Sequence, residues 1–212
     1  MAIEQKQDYT LDEPNKIYIL GSQGVGKTTL FNLFFDKPFD ESIKKSQTGI
    51  VKAKYQYNNK EFTFKDLTDD ENYTCTKIMK NELEDVILAI VIFSLDDKNS
   101  FEYAKTLINF INNNIINNKE MHILLLGNKV DLVSGHNRDS ETAQYENYAN
   151  SLENCTYFEI SCKGGQSIKQ VKKFVNDIEV PMEETEENDG KLTEEERKKK
   201  IEEVQNRKCI IW

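Results

Sequence analysis

One eight-residue stretch constrains this 212-residue chain more than any other. Gly21-Ser22-Gln23-Gly24-Val25-Gly26-Lys27-Thr28 completes the pattern G-x-x-x-x-G-K-[ST]. The apolar run Lys16-Ile17-Tyr18-Ile19-Leu20 precedes it and reads as a strand. Thr29-Leu30-Phe31-Asn32-Leu33-Phe34-Phe35 follows without Gly or Pro and reads as a helix. A strand that turns through glycines into a helix aims several backbone N–H groups at one spot, with the positive end of the helix dipole behind them. That spot suits a phosphate. Lys27 would reach the β- and γ-phosphates of a nucleotide, and the Thr28 hydroxyl would hold Mg²⁺. Gly21, Gly24, Val25, Gly26, Lys27, Thr28 and Thr29 are the candidate phosphate-binding positions. The chain is expected to bind a nucleoside phosphate.

Further apolar runs, Val86–Phe93 and Ile123–Leu126, show no polar alternation, as strands buried on both faces require. Tyr157-Phe158-Glu159-Ile160 is a weaker fourth strand. Helical stretches separate them: Thr28 to Phe35, Ser100 to about Asn113, Ser140 to Leu152 and Ile168 to Ile178. The last opens on a capping box, Ser167-x-x-Gln170, and is followed by Pro181. Strands alternating with helices predict an α/β fold: a mostly parallel six-stranded sheet with one antiparallel edge strand and helices on both faces. Val51–Tyr57 and Glu61–Lys65 flank the turn-rich Asn58-Asn59-Lys60 and read as a hairpin at the sheet edge. Its pattern suggests Ala53, Tyr55, Tyr57, Phe62 and Phe64 on a buried face, with lysines opposite.

A net charge of −9 argues against nucleic acid as a partner, because phosphate backbones attract basic surfaces. The four cysteines show no C-x-x-C spacing, so neither a zinc site nor a disulfide framework is indicated. With two histidines, His122 and His136, little material exists for a histidine triad. Residues 1–14 are polar and acidic and read as an N-terminal extension, not a signal peptide. After Pro181 the acids Glu183, Glu184, Glu186, Glu187 and Asp189 give way to Arg197-Lys198-Lys199-Lys200. Residues 181–212 are expected to be a charged, solvated tail.

Asn128-Lys129-Val130-Asp131 directly follows the strand His122–Leu126, about a hundred residues beyond the phosphate loop. An aspartate carboxylate can accept from both N1–H and the 2-amino group of guanine, which adenine cannot reciprocate. The Asn128 amide can meet the base edge, and the Lys129 stem can cover its face. Ser161-Cys162-Lys163, past the last strand, offers backbone N–H groups to the guanine carbonyl.

With these three motifs in order, the chain resembles the Ras superfamily of small GTPases over about residues 15–180. The resemblance implies a P-loop NTPase domain of the α/β class that takes GTP and GDP with Mg²⁺. It implies that Phe39 packs edge-on against guanine; a core aromatic is the other reading. It implies that Thr48 meets Mg²⁺ and the γ-phosphate, although its spacing from Phe39 is longer than usual. Asp66 matches the aspartate that holds Mg²⁺ through water. Candidate metal residues are thus Thr28, Thr48 and Asp66, and candidate catalytic residues are Lys27, Thr48 and Asp70.

Mechanism is where the chain departs from the family. The run Asp66-Leu67-Thr68-Asp69-Asp70-Glu71 puts Asp69 where the family has the glycine that senses the γ-phosphate. Asp70 replaces the glutamine that orients the attacking water. A carboxylate there is repelled by the triphosphate and offers no amide N–H to the transition state. Gln23 stands where many relatives carry a small residue, and its length can crowd an arginine finger, a group that contributes roughly 10³–10⁵ in rate. Two functions stay open: a membrane-associated signalling or trafficking switch that hydrolyses GTP slowly, and a GTP-binding, effector-recruiting module with little or no hydrolysis. Asn128-Lys129-x-Asp131 disfavours a kinase or transport ATPase.

The terminal Cys209-Ile210-Ile211-Trp212 has the C-a-a-X form, though Trp is not a usual last residue. Prenylation of Cys209, or an unmodified terminus, are both open. One lipid binds membranes marginally, and Arg207-Lys208 with Arg197–Lys200 would add an electrostatic signal. The resemblance also implies an exchange factor, a GTPase-activating protein, effectors at the switch surface (Tyr55, Tyr57 and Tyr73), a monomeric chain and a place on the cytosolic face of a membrane. Ras-like and Rab-like subfamilies both remain open: Rab-type proteins usually end in two cysteines and carry Trp where Lys65 stands.

Overall fold

Six strands form one sheet in the order β2-β3-β1-β4-β5-β6, in a computed structural model that describes residues 15–41, 50–58, 60–67, 86–114, 121–134 and 138–178. The strands are β1 (Lys16–Leu20), β2 (Ile50–Tyr57), β3 (Lys60–Leu67), β4 (Val86–Ser94), β5 (His122–Asn128) and β6 (Cys155–Glu159). The described helices are α1 (Lys27–Phe34), α2 (Lys98–Asn114), α3 (Arg138–Asn150) and α4 (Ile168–Asp177), with a 3-10 turn at Val130–Leu132. Every neighbouring pair is parallel except β2 with β3, so the expected sheet is the observed one.

The strands lack polar alternation because each face meets its own core. In β1, Tyr18 and Leu20 join Ala89, Val91, Phe93, Ile123 and Leu125 under α2 and α3. Their neighbours Ile17 and Ile19 join Leu88, Ile90, Ile92, Leu124 and Leu126 under α1 and α4. Alternation survives, but it chooses between two apolar layers. The helices complete these layers with Phe101, Ala104, Leu107, Ile108 and Ile111 of α2 on one side and Leu30, Phe31 and Phe34 of α1 on the other.

Four sequence expectations need correction here. Strand β6 begins at Cys155, earlier than its apolar core suggested, because β5 pairs it from Ile123↔Cys155 onward. The capping box at Ser167 does not form: Ser167 is left-handed (φ 60°, ψ 2°) and its side chain makes no cap. A capping hydroxyl needs extended backbone to turn back over the first amides, whereas here the bridge Ser161↔Gln166 sets the approach to α4. Lys65 is not on an open lysine face either. It is 2 % exposed, with its ammonium 5.6 Å from the centroid of the Tyr18 ring, because β3 is an inner strand covered on both sides. Tyr55 packs edge-on against Phe34, Phe35 and Phe64, whereas Tyr57 is 41 % exposed at the hairpin. Thr48, Asp69, Asp70, Tyr73 and Cys209 lie outside the described residues.

Parallel strands all end on one edge of the sheet, and the motifs sit there: Gly21 after β1, Asp66 in β3, Asn128 in β5 and Ser161 after β6. Strand β1 lies inside the order, so the connections on its two sides run over opposite faces. A crevice opens where the order reverses, and that is where open α/β sheets bind ligands.

Candidate functional site

The phosphate loop turns through two glycines that nothing else could replace without movement. A Cβ on Gly21 (φ 150°) would lie 2.2 Å from the Ile92 carbonyl oxygen. One on Gly26 (φ 106°) would lie 2.3 Å from Asn128 Nδ2. Gly26 starts α1 in the left-handed region, and no side chain caps the helix. A helix that starts directly behind such a turn brings the positive end of its dipole to the loop, as an anion site requires. Lys27 is buried, and its ammonium donates to the carbonyls of Gly21 and Ser22 at 2.8 Å each. The lysine spans its own loop and holds a positive charge beneath it. Val25 is buried under the loop, while Gln23 and Gly24 are exposed on its crest.

Beside the loop, the Thr28 hydroxyl donates to Asp66 Oδ2 at 2.7 Å. The other oxygen, Oδ1, is buried with no hydrogen-bond partner. Burial pushes the Asp66 carboxyl above its ordinary range, and the Thr28 hydrogen bond and nearby Lys27 pull it back only in part. A buried carboxylate oxygen without a donor, next to a hydroxyl, fits a hard cation. Mg²⁺ would take Thr28 and Asp66 on the protein side and supply charge neutralisation at the phosphates. Among the described residues no group of three or more His, Cys, Asp or Glu could hold a metal ion. Magnesium that completes its shell with phosphate and water does not need one.

At the ends of β5 and β6, three backbone hydrogen bonds knit the base-side loops together. Ile160 N donates to Gly127 O at 2.8 Å, Val130 N to Ile160 O at 3.1 Å, and Leu95 N to Asn128 O at 2.9 Å. The Asn128 side chain is used twice within the protein itself. Its Nδ2 donates to Val25 O at 2.8 Å, and its Oδ1 accepts from Cys162 N at 3.0 Å. One amide thus joins the phosphate loop to the Ser161-Cys162-Lys163 loop. Ser161 Oγ donates to Asp131 Oδ1 and accepts from Gly164 N at 2.8 Å, which fixes the Asp131 carboxylate beside the same loop. The Cys162 thiol is pushed up to about 12 by burial, with the Asp131 charge adding to it. Thr29 follows Thr28 in the first turn of α1.

Phe39 is half-buried and belongs to neither core; the Lys163 ammonium lies 6.0 Å from its ring centroid. That placement does not fit the reading of Phe39 as a core aromatic. Glu159 escaped the sequence reading altogether. It accepts from Thr142 Oγ1 and Tyr157 Oη at 2.9 Å each and pairs with Arg138, clamping the start of α3 to the end of β6. Its only signal was a lone acid in an apolar run.

A family model described as the Ras family matches residues 16–179. Ras-related protein RABG3f of Arabidopsis thaliana is 26% identical over 163 residues, covering 73% of this chain and 77% of that protein. Ras-related protein Rab7 of Cenchrus ciliaris is 26% identical over 162 residues, covering 73% and 76%. The probable mitochondrial Rho GTPase gemA of Dictyostelium discoideum is 23% identical over 164 residues, 74% of this chain but 24% of that longer protein. Since the family match runs from the first residue of β1 past the end of α4, and so takes in every strand that ends at the site, the chain belongs to the Ras family of small GTPases.

Proposed function

We propose that this chain is a guanine-nucleotide switch that binds GTP and GDP with Mg²⁺ and hydrolyses GTP slowly. The observation that carries the reading is the double use of the Asn128 amide, on Val25 O and Cys162 N. It makes the phosphate half and the base half one rigid site. Lys27 and the α1 amides would hold the phosphates, and Thr28, Asp66 and Thr48 would hold the metal. Asp131, Lys129, Phe39 and the Ser161-Cys162-Lys163 amides would hold guanine. In hydrolysis, water adds to the γ-phosphorus as its bond to the bridging oxygen breaks, giving GDP and phosphate. Lys27 steadies the charge that moves onto the leaving group.

Asp69 and Asp70 favour a second reading, a GTP-loaded module that recruits effectors and turns over little. Single-turnover GTP hydrolysis by the Mg²⁺-loaded chain, with Asp70→Gln beside it, separates the two. Turnover above the uncatalysed background in the parent supports the switch. GTP retained in the parent but hydrolysed by Asp70→Gln supports the module, and a chain that holds no guanine nucleotide overturns both.

The role extends to membrane-associated signalling or trafficking as a monomer, with exchange factor, GTPase-activating protein and effectors as partners. Support for the membrane part is the Cys209-Ile210-Ile211-Trp212 ending and its basic neighbours. Among the described residues no helix is long and apolar enough to cross a membrane.

A further inference from the structure

Two acids outside every nucleotide motif take the ammonium groups of the two lysines beside the base site. Lys129 Nζ lies 3.4 Å from Asp96 Oδ1, and Lys163 Nζ lies 2.7 Å from Glu41 Oε1. They come from different parts of the chain: Asp96 from the turn after β4, Glu41 from the segment that follows α1 and Phe39. Asp96 is itself held. Ser94 Oγ donates to the same oxygen, and the next-door Leu95 N is bonded to Asn128 O at 2.9 Å. The Ser94 hydroxyl, ahead of Lys129, keeps the Asp96 carboxyl below the ordinary range, and Lys163 does the same for Glu41. Both acids are therefore charged at neutral pH.

We propose that Asp96 and Glu41 are positioning residues of the base site, Asp96 steadying Lys129 as a fixed wall and Glu41 latching Lys163 across Phe39, so that the latch opens before nucleotide leaves. The inference rests on the guanine-site reading above and adds the control of release. A lysine stem has many rotamers, and tethering its end restricts it to those that lie along a flat base. The two tethers differ in kind. The Lys129–Asp96 side chains are 32% and 37% exposed, and their acid is anchored. The Lys163–Glu41 side chains are 60% and 72% exposed, so salt screens that pair. Pairs this open contribute little, which suits a gate meant to open.

The test is release of a fluorescent GDP analogue from the full-length, Mg²⁺-loaded chain at low and high salt. Parent, Glu41→Gln, Glu41→Asp and Asp96→Asn are compared, with melting temperatures measured alongside. At low salt, Glu41→Gln and Asp96→Asn should each release roughly two- to fivefold faster than the parent, with melting unchanged. Release from the parent should quicken with salt, and release from Glu41→Gln should not. Glu41→Asp, which keeps the carboxylate, should stay closer to the slow rate of the parent and keep its salt dependence, whereas Glu41→Gln should lose both. A parent that binds GDP, with both single variants releasing at its rate and with its salt dependence, overturns the inference and leaves the guanine reading standing. A parent that takes up no GDP overturns both.

Discussion

At the scale of single residues, Asn128 is where binding and stability meet. Its amide satisfies two buried backbone groups, Val25 C=O and Cys162 N–H, that lie in loops far apart in sequence. Asn128→Ala strands both, and an unmatched buried backbone group costs about 1–3 kcal/mol. Urea unfolding of the nucleotide-free chain should show a loss of roughly 2–4 kcal/mol. Measuring without nucleotide matters, because a residue that merely touched the base would leave that value unchanged. Cys162 makes the opposite kind of prediction. Its thiol is pushed up to about 12, and that of Cys155 to about 11, by burial. Only the thiolate is a nucleophile. Iodoacetamide at pH 8 should leave both unmodified in the folded chain and alkylate both in denaturant, as read by peptide mass spectrometry.

Among the described helices, α3 is the one that buries the fewest side chains. It buries only Tyr145 and Ala149, so its place depends on other ties. Glu159 supplies one, collecting Arg138, Thr142 and Tyr157 onto one carboxylate at the end of β6. Glu159→Gln keeps the size but offers an NH₂ where donors already point. Chemical denaturation should register a loss of roughly 1–3 kcal/mol, with hydrogen exchange quickening first at the start of α3. The hairpin is held similarly. Lys60, the first residue of β3, donates to the carbonyls of Ile178 at 2.8 Å and Asn176 at 3.3 Å, closing the open end of α4. Lys60 belongs to the turn-rich triplet of the sequence yet opens β3, because neither its strand position nor its partner more than a hundred residues away is locally encoded.

For the whole molecule, the sheet and both cores, among the described residues, reach as far as Ile178. The family match likewise ends at residue 179, before the acidic and basic runs that follow Pro181. A chain ending at Val180 should therefore melt within about 2 °C of the full chain and bind GDP as tightly. On the proposed reading it should also lose membrane association in cell fractionation. A large drop in melting temperature would mean that residues 181–212 belong to the fold. Unchanged membrane association would mean that Cys209 is not the anchor.

What the sequence determined by itself is what short-range chemistry can encode. The phosphate loop is written in glycines that alone tolerate φ values of 150° and 106°, and the parallel sheet in apolar runs without alternation. Asn128-Lys129-x-Asp131 and Ser161-Cys162-Lys163 were legible because hydrogen-bonding type and spacing carry their meaning. Tertiary structure alone decided the pairings. That Asn128 would be used as a strap, that Lys65 would be buried beside Tyr18, and that Asp96 and Glu41 would take the base-side lysines all depend on strand order and register. Those partners lie tens to more than a hundred residues apart, and no local pattern in the chain records which strand ends will be neighbours.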